Sequence, residues 1–476
     1  MTRNTFFLDQ HGCAKNQVDG ELLISRLEKM GLSRVDNADD AELIIINSCG
    51  FIESAKQESL DAVLGARQAY PEAKILLAGC LAERYAENFR TELPEADGVF
   101  GNGDLSLIDG TVKDLLAGGR PVVRPPQKGV CCGDRNMLLS FKGSAYVKIT
   151  EGCDNRCTFC AIPIIRGRLR SRPAADIVQE IQDLVARGVK EINLIGQDLA
   201  AYGCGTDDDV FNRNENWHGA LYGGEPAPEG KKSPLKELME QISSLEGNFW
   251  IRLLYIHPDH FNTDILSVMQ KDTRFLPYFD IPFQSGDDAI IHAMNRRGSF
   301  ARYSKLVQEI RNAFPDSCIR TTFLTGFPGE TKEAAATTER FLKEIQSDWS
   351  GCFTYSQEED TPAGAMKQTV SAVAAKRRAD KLSRIQAEIT AQRLQHRVGK
   401  TYDVLVEEIV ENKAGTDEGL AIGRAWFEAP EVDGNVVIRY DLDDEKAVKA
   451  IVPGEIVKVH ALAASEVDVD GEFCGD

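Results

Sequence analysis

The sequence predicts an α/β protein in three parts: an N-terminal domain on a parallel sheet, an incomplete TIM-like (β/α)6 barrel, and a small all-β domain. Three observations carry this. Strand-like and helix-like runs alternate from residue 5 to about residue 95. They alternate again, with a longer period, from residue 145. After Gly399 the texture changes to short β-like runs. Alternation of this kind builds parallel sheets with crossover helices, whereas closely spaced short strands build small barrels or sandwiches.

Taken in order, "TFFLDQ" reads as a strand and "QVDGELLISRLEKMG" as a helix ending at Gly31. "AELIIIN" and "AKILLAG" read as buried strands with the helix "SAKQESLDAVLGARQAY" between them. Residues 1–120 form the first domain on this reading. Residues 121–140 are a linker, because "RPVVRPPQKGVCCGDRNMLL" has prolines and glycines and no periodicity. The barrel spans 141–370, with strands "AYVKIT", "EINLIG", "WIRLLYI", "YFDIPF", "CIRTTFLTG" and "GCFTYS". Helical segments such as "AADIVQEIQDLVARG", "PLKELMEQISSLEG" and "AAATTERFLKEIQ" separate them. The polar stretch from about 204 to 232 reads as an insertion loop, a solvated excursion first and a grip on substrate as the alternative. A charged bridging helix covers 371–396, and the β domain covers 397–470.

Composition narrows the class. The 476 residues are 42% hydrophobic and 27% charged, ordinary for a globular protein. No apolar run reaches the length of a membrane span, and the N-terminus shows no cleavage-site pattern, so a cytoplasmic protein is expected. The net charge of −19 argues against a phosphate backbone as partner. A macromolecular partner of such a chain is expected to be basic, but on charge alone a simply solvated acidic surface is the better reading. Twelve cysteines in this setting point to metal or redox chemistry rather than disulfides.

Six of those cysteines are candidates. Cys153, Cys157 and Cys160 form a compact trio, Cys-x3-Cys-x2-Cys, directly after the first barrel strand. In a barrel that loop lies on the C-terminal face, where active sites sit. Cys13, Cys49 and Cys80 each follow a strand of the N-terminal domain, so a parallel sheet brings them to one edge. A glycine beside each lets backbone approach a bulky ligand. Thiolates are the usual ligands of iron–sulfur clusters, and three of them leave one iron of a cubane open. Zinc or buried free thiols are the bland alternatives.

The spacing "CDNRCTFC" resembles the CxxxCxxC signature of radical S-adenosylmethionine enzymes. With the dispersed N-terminal trio and the terminal β-module, which resembles a TRAM domain, the whole chain looks like the methylthiotransferase family. "GCAKNQVDGE", "NSCGFIESAKQESL", "GCFTYSQEEDTPAGA" and "GRAWFEAPEVDG" resemble the branch that acts on an aspartate of ribosomal protein S-twelve. The tRNA branch typically has Val-Arg where this chain has Gly50-Phe51-Ile52. The resemblance implies two [4Fe-4S] clusters, the auxiliary one on Cys13, Cys49 and Cys80, the radical one on Cys153, Cys157 and Cys160. It implies S-adenosylmethionine as cofactor and radical methylthiolation of the aspartate β-carbon, with a protein reductant supplying electrons. The alternatives are a tRNA-adenosine methylthiotransferase and a non-catalytic iron–sulfur protein of the ribosome. Between 397 and 470 the chain has 17 acidic and 8 basic residues, which suits a basic protein better than tRNA. "SEVDVDGEF" departs from the branch, which usually has an aromatic at its start.

Further features have weaker readings. Phe159 covers the cluster or its ligand, or simply packs. Gln197 and Gln284 end strands on the active face and are candidate cofactor contacts. Arg166, Arg168, Arg170 and Arg172 read first as ion pairs at the barrel rim. "TGFPGET" (325–331) reads as a helix cap or a backbone contact to the cofactor. His257 alone is a poor candidate ligand. Cys131, Cys132, Cys204, Cys318, Cys352 and Cys474 follow no ligand pattern. No catalytic acid or base is apparent.

Overall fold

Three large sheets and one two-stranded ribbon, Thr150–Glu151 against Arg170–Ser171, organise the computed structural model, which describes residues 4–204, 232–411 and 417–475. The insertion at 204–232 lies outside these residues except at its ends. The first sheet has six parallel strands, in the order Ser33–Arg34, Thr5–Gln10, Leu43–Ser48, Lys74–Gly79, Gly98–Phe100, Val122–Val123. Every residue of Leu43–Ser48 is buried, as expected of a parallel strand covered on both faces. The strand Val122–Val123 extends this sheet into the segment read as linker. Two residues are too short to show periodicity.

The second sheet is the partial barrel. Its six parallel strands run in chain order, Ser144–Lys148, Glu191–Ile195, Trp250–Leu253, Phe275–Asp280, Cys318–Thr325, Trp349–Thr354, and the two outer strands do not pair. The third strand stops short of "WIRLLYI" because Tyr255 turns to φ 68°. The fourth starts earlier than "YFDIPF" and ends at Asp280, before Pro282.

A helix over Ala372–Gln395 leads to a closed five-stranded barrel, Thr401–Val410, Glu418–Ala425, Val436–Asp441, Val469–Phe473, Ile456–Ala464. The strand Val469–Phe473 was not legible in the acidic run "VDVDGEF"; it closes the barrel by pairing in parallel with Val436–Asp441.

Buried charges hold the parts together. Lys148 of the first barrel strand pairs with Asp19 of the helix Ala14–Lys29 (2.5 Å) and with Glu151 (2.8 Å). Arg135 joins Glu21 of that helix at 2.5 Å to Glu180 of the barrel. At the other end, Glu191 receives Arg252 at 3.0 Å and Arg424 of the β-module at 2.7 Å. The module thus contacts the starts of the barrel strands: Cys318 and Trp349, each a first residue, both donate to the Phe427 carbonyl.

Candidate active site

All three N-terminal cysteines lie where strands end. Cys13 is the N-cap of Ala14–Lys29, Cys49 follows Leu43–Ser48, and Cys80 opens the helix Cys80–Glu92 directly after Lys74–Gly79. The glycines beside two of them stand at close contacts between the loops. A Cβ on Gly12 would lie 3.1 Å from Cys49 Cβ, and one on Gly50 would lie 2.8 Å from the Cys80 carbonyl oxygen. They let the three loops pack on one another, which is what gathers the sulfurs.

Cys153, Cys157 and Cys160 lie on the loop after the first barrel strand, and the N-terminal domain docks with its strand ends toward that loop. One cavity of about 340 Å³ is therefore lined by all six cysteines. Phe159, Gln197 and Gln284 line it too. Phe51, Ile162, Pro163 and Ile165 give it an apolar wall. Cys131, Cys132, Cys204, Cys318, Cys352 and Cys474 are elsewhere.

Within each trio the thiols act on one another. Burial first, then Cys80, pushes the Cys49 thiol up to about 12. Burial, then Cys157, pushes Cys160 up to about 12. Burial and then Asp198 and Cys160 hold Cys153 well above the ordinary thiol value. Such clustering is unfavourable for free thiolates and is reversed by a bound cationic centre. Cys13 differs. Although Cys13 is the exposed member of its trio, desolvation by the surrounding loops opposes its ionisation; Lys15, Arg166 and the N–H groups of Asn16 and Lys15 nevertheless bring its pKa below the ordinary value.

The donor set suits clusters better than single ions. Among the described residues, no three His, Cys, Asp or Glu side chains converge as they would around one metal ion. Ligands of a cubane instead sit at separate corners, and two sets of three thiols match that chemistry. The sulfurs also have N–H donors. Arg166 Nη2 lies 3.2 Å and Asn102 Nδ2 3.4 Å from Cys80 Sγ. His257 Nε2 lies 3.9 Å from Cys157 Sγ, while its Nδ1 accepts the Asp259 N–H at 3.2 Å. The second contact leaves Nε2 to carry the proton toward sulfur. Burial, then Arg296 and His260, lowers the His257 pKa to about 3.

Several of these residues were not singled out in the sequence. Asn16, Tyr255, Asn155 and Arg296 line the cavity, and Asp198 orients Asn155 (2.9 Å) and His260 (2.7 Å) behind it. Tyr255 and His257 follow the third barrel strand, so the strand-end rule was the available signal. Of the four arginines, Arg168 pairs with Asp154 at the exposed rim, whereas Arg172 pairs with Glu180 in a buried setting and the buried Arg170 donates to the carbonyls of Gly129 and Arg168. Arg166 instead reaches Cys80, Asp19 (2.9 Å) and Glu151 (2.7 Å). In "TGFPGET", Thr331 caps its helix by accepting from Ala334 N–H, and the segment is not in the cavity wall.

Backbone strain concentrates here. Arg156 (φ 50°), Tyr255 (φ 68°) and Gln284 (φ 69°) are left-handed residues with side chains, and all three line the cavity. Such positions persist only where surrounding structure enforces them.

Comparison with known proteins agrees with this layout. Residues 5–101 match the Uncharacterized protein family UPF0004, 147–342 the Radical SAM superfamily, and 398–474 the TRAM domain. A ribosomal protein uS12 methylthiotransferase RimO from Treponema denticola is 50% identical over 97% of this chain and 99% of its own length. The proteins of that name from Thermotoga maritima and Carboxydothermus hydrogenoformans are 38% and 34% identical, over 90% and 99% of this chain and 92% and 100% of theirs. Among solved structures, the radical S-adenosylmethionine methyltransferase TsrM from Kitasatospora setae, with cobalamin and a [4Fe-4S] cluster bound, has a TM-score of 0.52. Its 14% identity, over 76% of this chain and 77% of that one, shows a shared fold alone. Near-complete coverage at 50% identity, with all three domain matches in order, shows that the chain belongs to the RimO family of radical S-adenosylmethionine methylthiotransferases.

Proposed function

We propose that this protein methylthiolates the β-carbon of an aspartate in ribosomal protein uS12, acting in the cytoplasm with electrons from a protein reductant. The observation that carries the proposal is the single cavity lined by two cysteine trios from two domains. The full-length relatives named as uS12 methylthiotransferases support the substrate.

On this reading Cys153, Cys157 and Cys160 hold one [4Fe-4S] cluster and Cys13, Cys49 and Cys80 hold the other. Bound there, the clusters and S-adenosylmethionine supply a radical able to take hydrogen from an unactivated carbon and a sulfur held for transfer. The chain's own residues set the stage. Phe159, Gln197 and Gln284 are the proposed contacts to S-adenosylmethionine. The Gln197 amide donates to Glu151 at 3.2 Å, while its Oε1 is buried and unpartnered, free to accept from a ligand. Ile162, Pro163 and Ile165, with the exposed Phe51 at the edge, offer an apolar wall to a reaction that water and stray protons would quench. Arg166, locked by two carboxylates, keeps the two sulfur sites in a fixed relation.

The test is anaerobic reconstitution with iron and sulfide, followed by assay. Wild type should bind about eight irons, and a Cys153/Cys157/Cys160 triple alanine variant about four. Wild type with S-adenosylmethionine and reductant should add one methylthio group to uS12, read by peptide mass spectrometry, and none to tRNA. About four irons in wild type, all lost in the variant, or modification of tRNA instead, would sink the proposal.

A further inference from the structure

The cavity wall contains four cationic side chains, Lys15, Arg156, Arg166 and Arg296. Arg166 is taken up by Asp19 and Glu151. Arg296 donates to the carbonyls of Pro282 (2.5 Å) and Phe283 (3.4 Å). Arg156 is exposed to solvent. Lys15 is different on every count. It is 7% exposed, and among the described residues no carboxylate lies within ion-pair distance of it. Its ammonium sits 3.2 Å from the centre of the Tyr255 ring. A ring face attracts a cation but carries no counter-charge, and a buried cation without one is costly. Its charge is felt by Cys13 and by Asp280, but with Asp280 it forms no ion pair.

We propose that Lys15 receives the carboxylate of the substrate aspartate and so selects aspartate over its neutral isosteres. The inference rests on the reading of uS12 aspartate as substrate. The geometry suits the chemistry. The reacting β-carbon is bonded directly to the carboxylate carbon, so a cation that pins the carboxylate also pins the reacting carbon. Lys15 follows Cys13 by two residues in the first turn of Ala14–Lys29, which puts the pinned group beside the N-terminal trio. Tyr255 comes from the barrel and is held in its left-handed conformation, with its N–H bonded to Asp280 at 3.0 Å. The contact therefore spans the two domains, at the point where a side chain must lie to reach both trios.

The experiment uses reconstituted full-length enzyme without reductant, so that binding is measured apart from turnover. Titrated partners are uS12 and uS12 with the target aspartate changed to asparagine. Wild type is expected to prefer the aspartate form. Lys15→Gln should weaken that form about 10- to 100-fold, the size of a lost charge-assisted hydrogen bond, and leave the asparagine form nearly unchanged. Lys15→Arg should restore most of the preference, and both variants should keep the wild-type iron content. The proposal is overturned if Lys15→Gln retains the aspartate preference, or if it loses half its iron, which would make Lys15 a support of the cluster site. Wild type that never modifies uS12 overturns the parent reading and takes this one with it.

Discussion

At the scale of single residues, Arg166 is where the two sulfur sites meet. It is 3% exposed and bonds Cys80, Asp19 and Glu151 at once. Lys148 shares both carboxylates. Arg166→Met should remove one cation from this buried set and leave its partners undercompensated, at a cost of about 3–5 kcal/mol. Urea unfolding of the iron-free, reduced protein should show this as a lower midpoint with the same slope. A midpoint equal to wild type would mean the network does not hold the domains. The sequence showed Arg166 only as one of four alternating arginines, and nothing in that pattern separates it from Arg168, which is exposed. Its partners lie 147 positions upstream at Asp19 and close by at Glu151, and only the docked fold brings them together. The cysteines were legible because their position relative to strand ends is a local property.

Among elements, the three loops after Thr5–Gln10, Leu43–Ser48 and Lys74–Gly79 form a unit. Gly50 is the tightest point, because a Cβ there would meet Cys80 O and Leu81 Cα, both at 2.8 Å. These are backbone atoms and cannot swing aside. Gly50→Ala should therefore push Cys80 out of place, so that reconstituted protein binds about four irons instead of about eight. A full iron complement in the variant would show that the loops have slack. Order and type of the longer elements were readable, since buried parallel strands announce themselves as apolar runs, whereas the two-residue strand Val122–Val123, the acidic strand Val469–Phe473 and the short helix Glu445–Ala450 were not. Ends were less so. Ala14–Lys29 starts three residues before the expected helix, because Cys13 serves as its N-cap and no Ser, Thr, Asp or Asn marks the boundary.

Over the whole molecule, the acidic β-module and the cysteine cavity occupy different ends of the barrel. Glu191, fully buried between Arg252 and Arg424, fixes the module to the strand starts. Burial opposes its ionisation, yet the two arginines hold its pKa down to about 2. Glu191→Gln should take the carboxylate from Arg252, leave Arg424 with Glu407 alone at 2.6 Å, and loosen the module. Limited trypsin digestion should then release the module after cleavage in the segment 396–400, with iron content unchanged because no module residue lines the cavity. Resistance equal to wild type would place the docking energy elsewhere. The module's charge was legible in the sequence; its seat was not. Glu191 and Arg424 are separated by 233 positions, and each alone reads as a surface charge.

The left-handed residues of the cavity wall have a consequence for how this protein can be improved in the laboratory. Arg156, Tyr255 and Gln284 each sit where glycine is the easier choice. Each keeps a side chain at a cost of about 1 kcal/mol or more. A variant library screened for heat resistance alone will favour glycine or asparagine at these three positions. The survivors would be sturdier and would have lost the ring under Lys15 and an amide from the cavity wall. Thermostability and turnover pull in opposite directions at these sites, and only a screen that reads both will keep the chemistry.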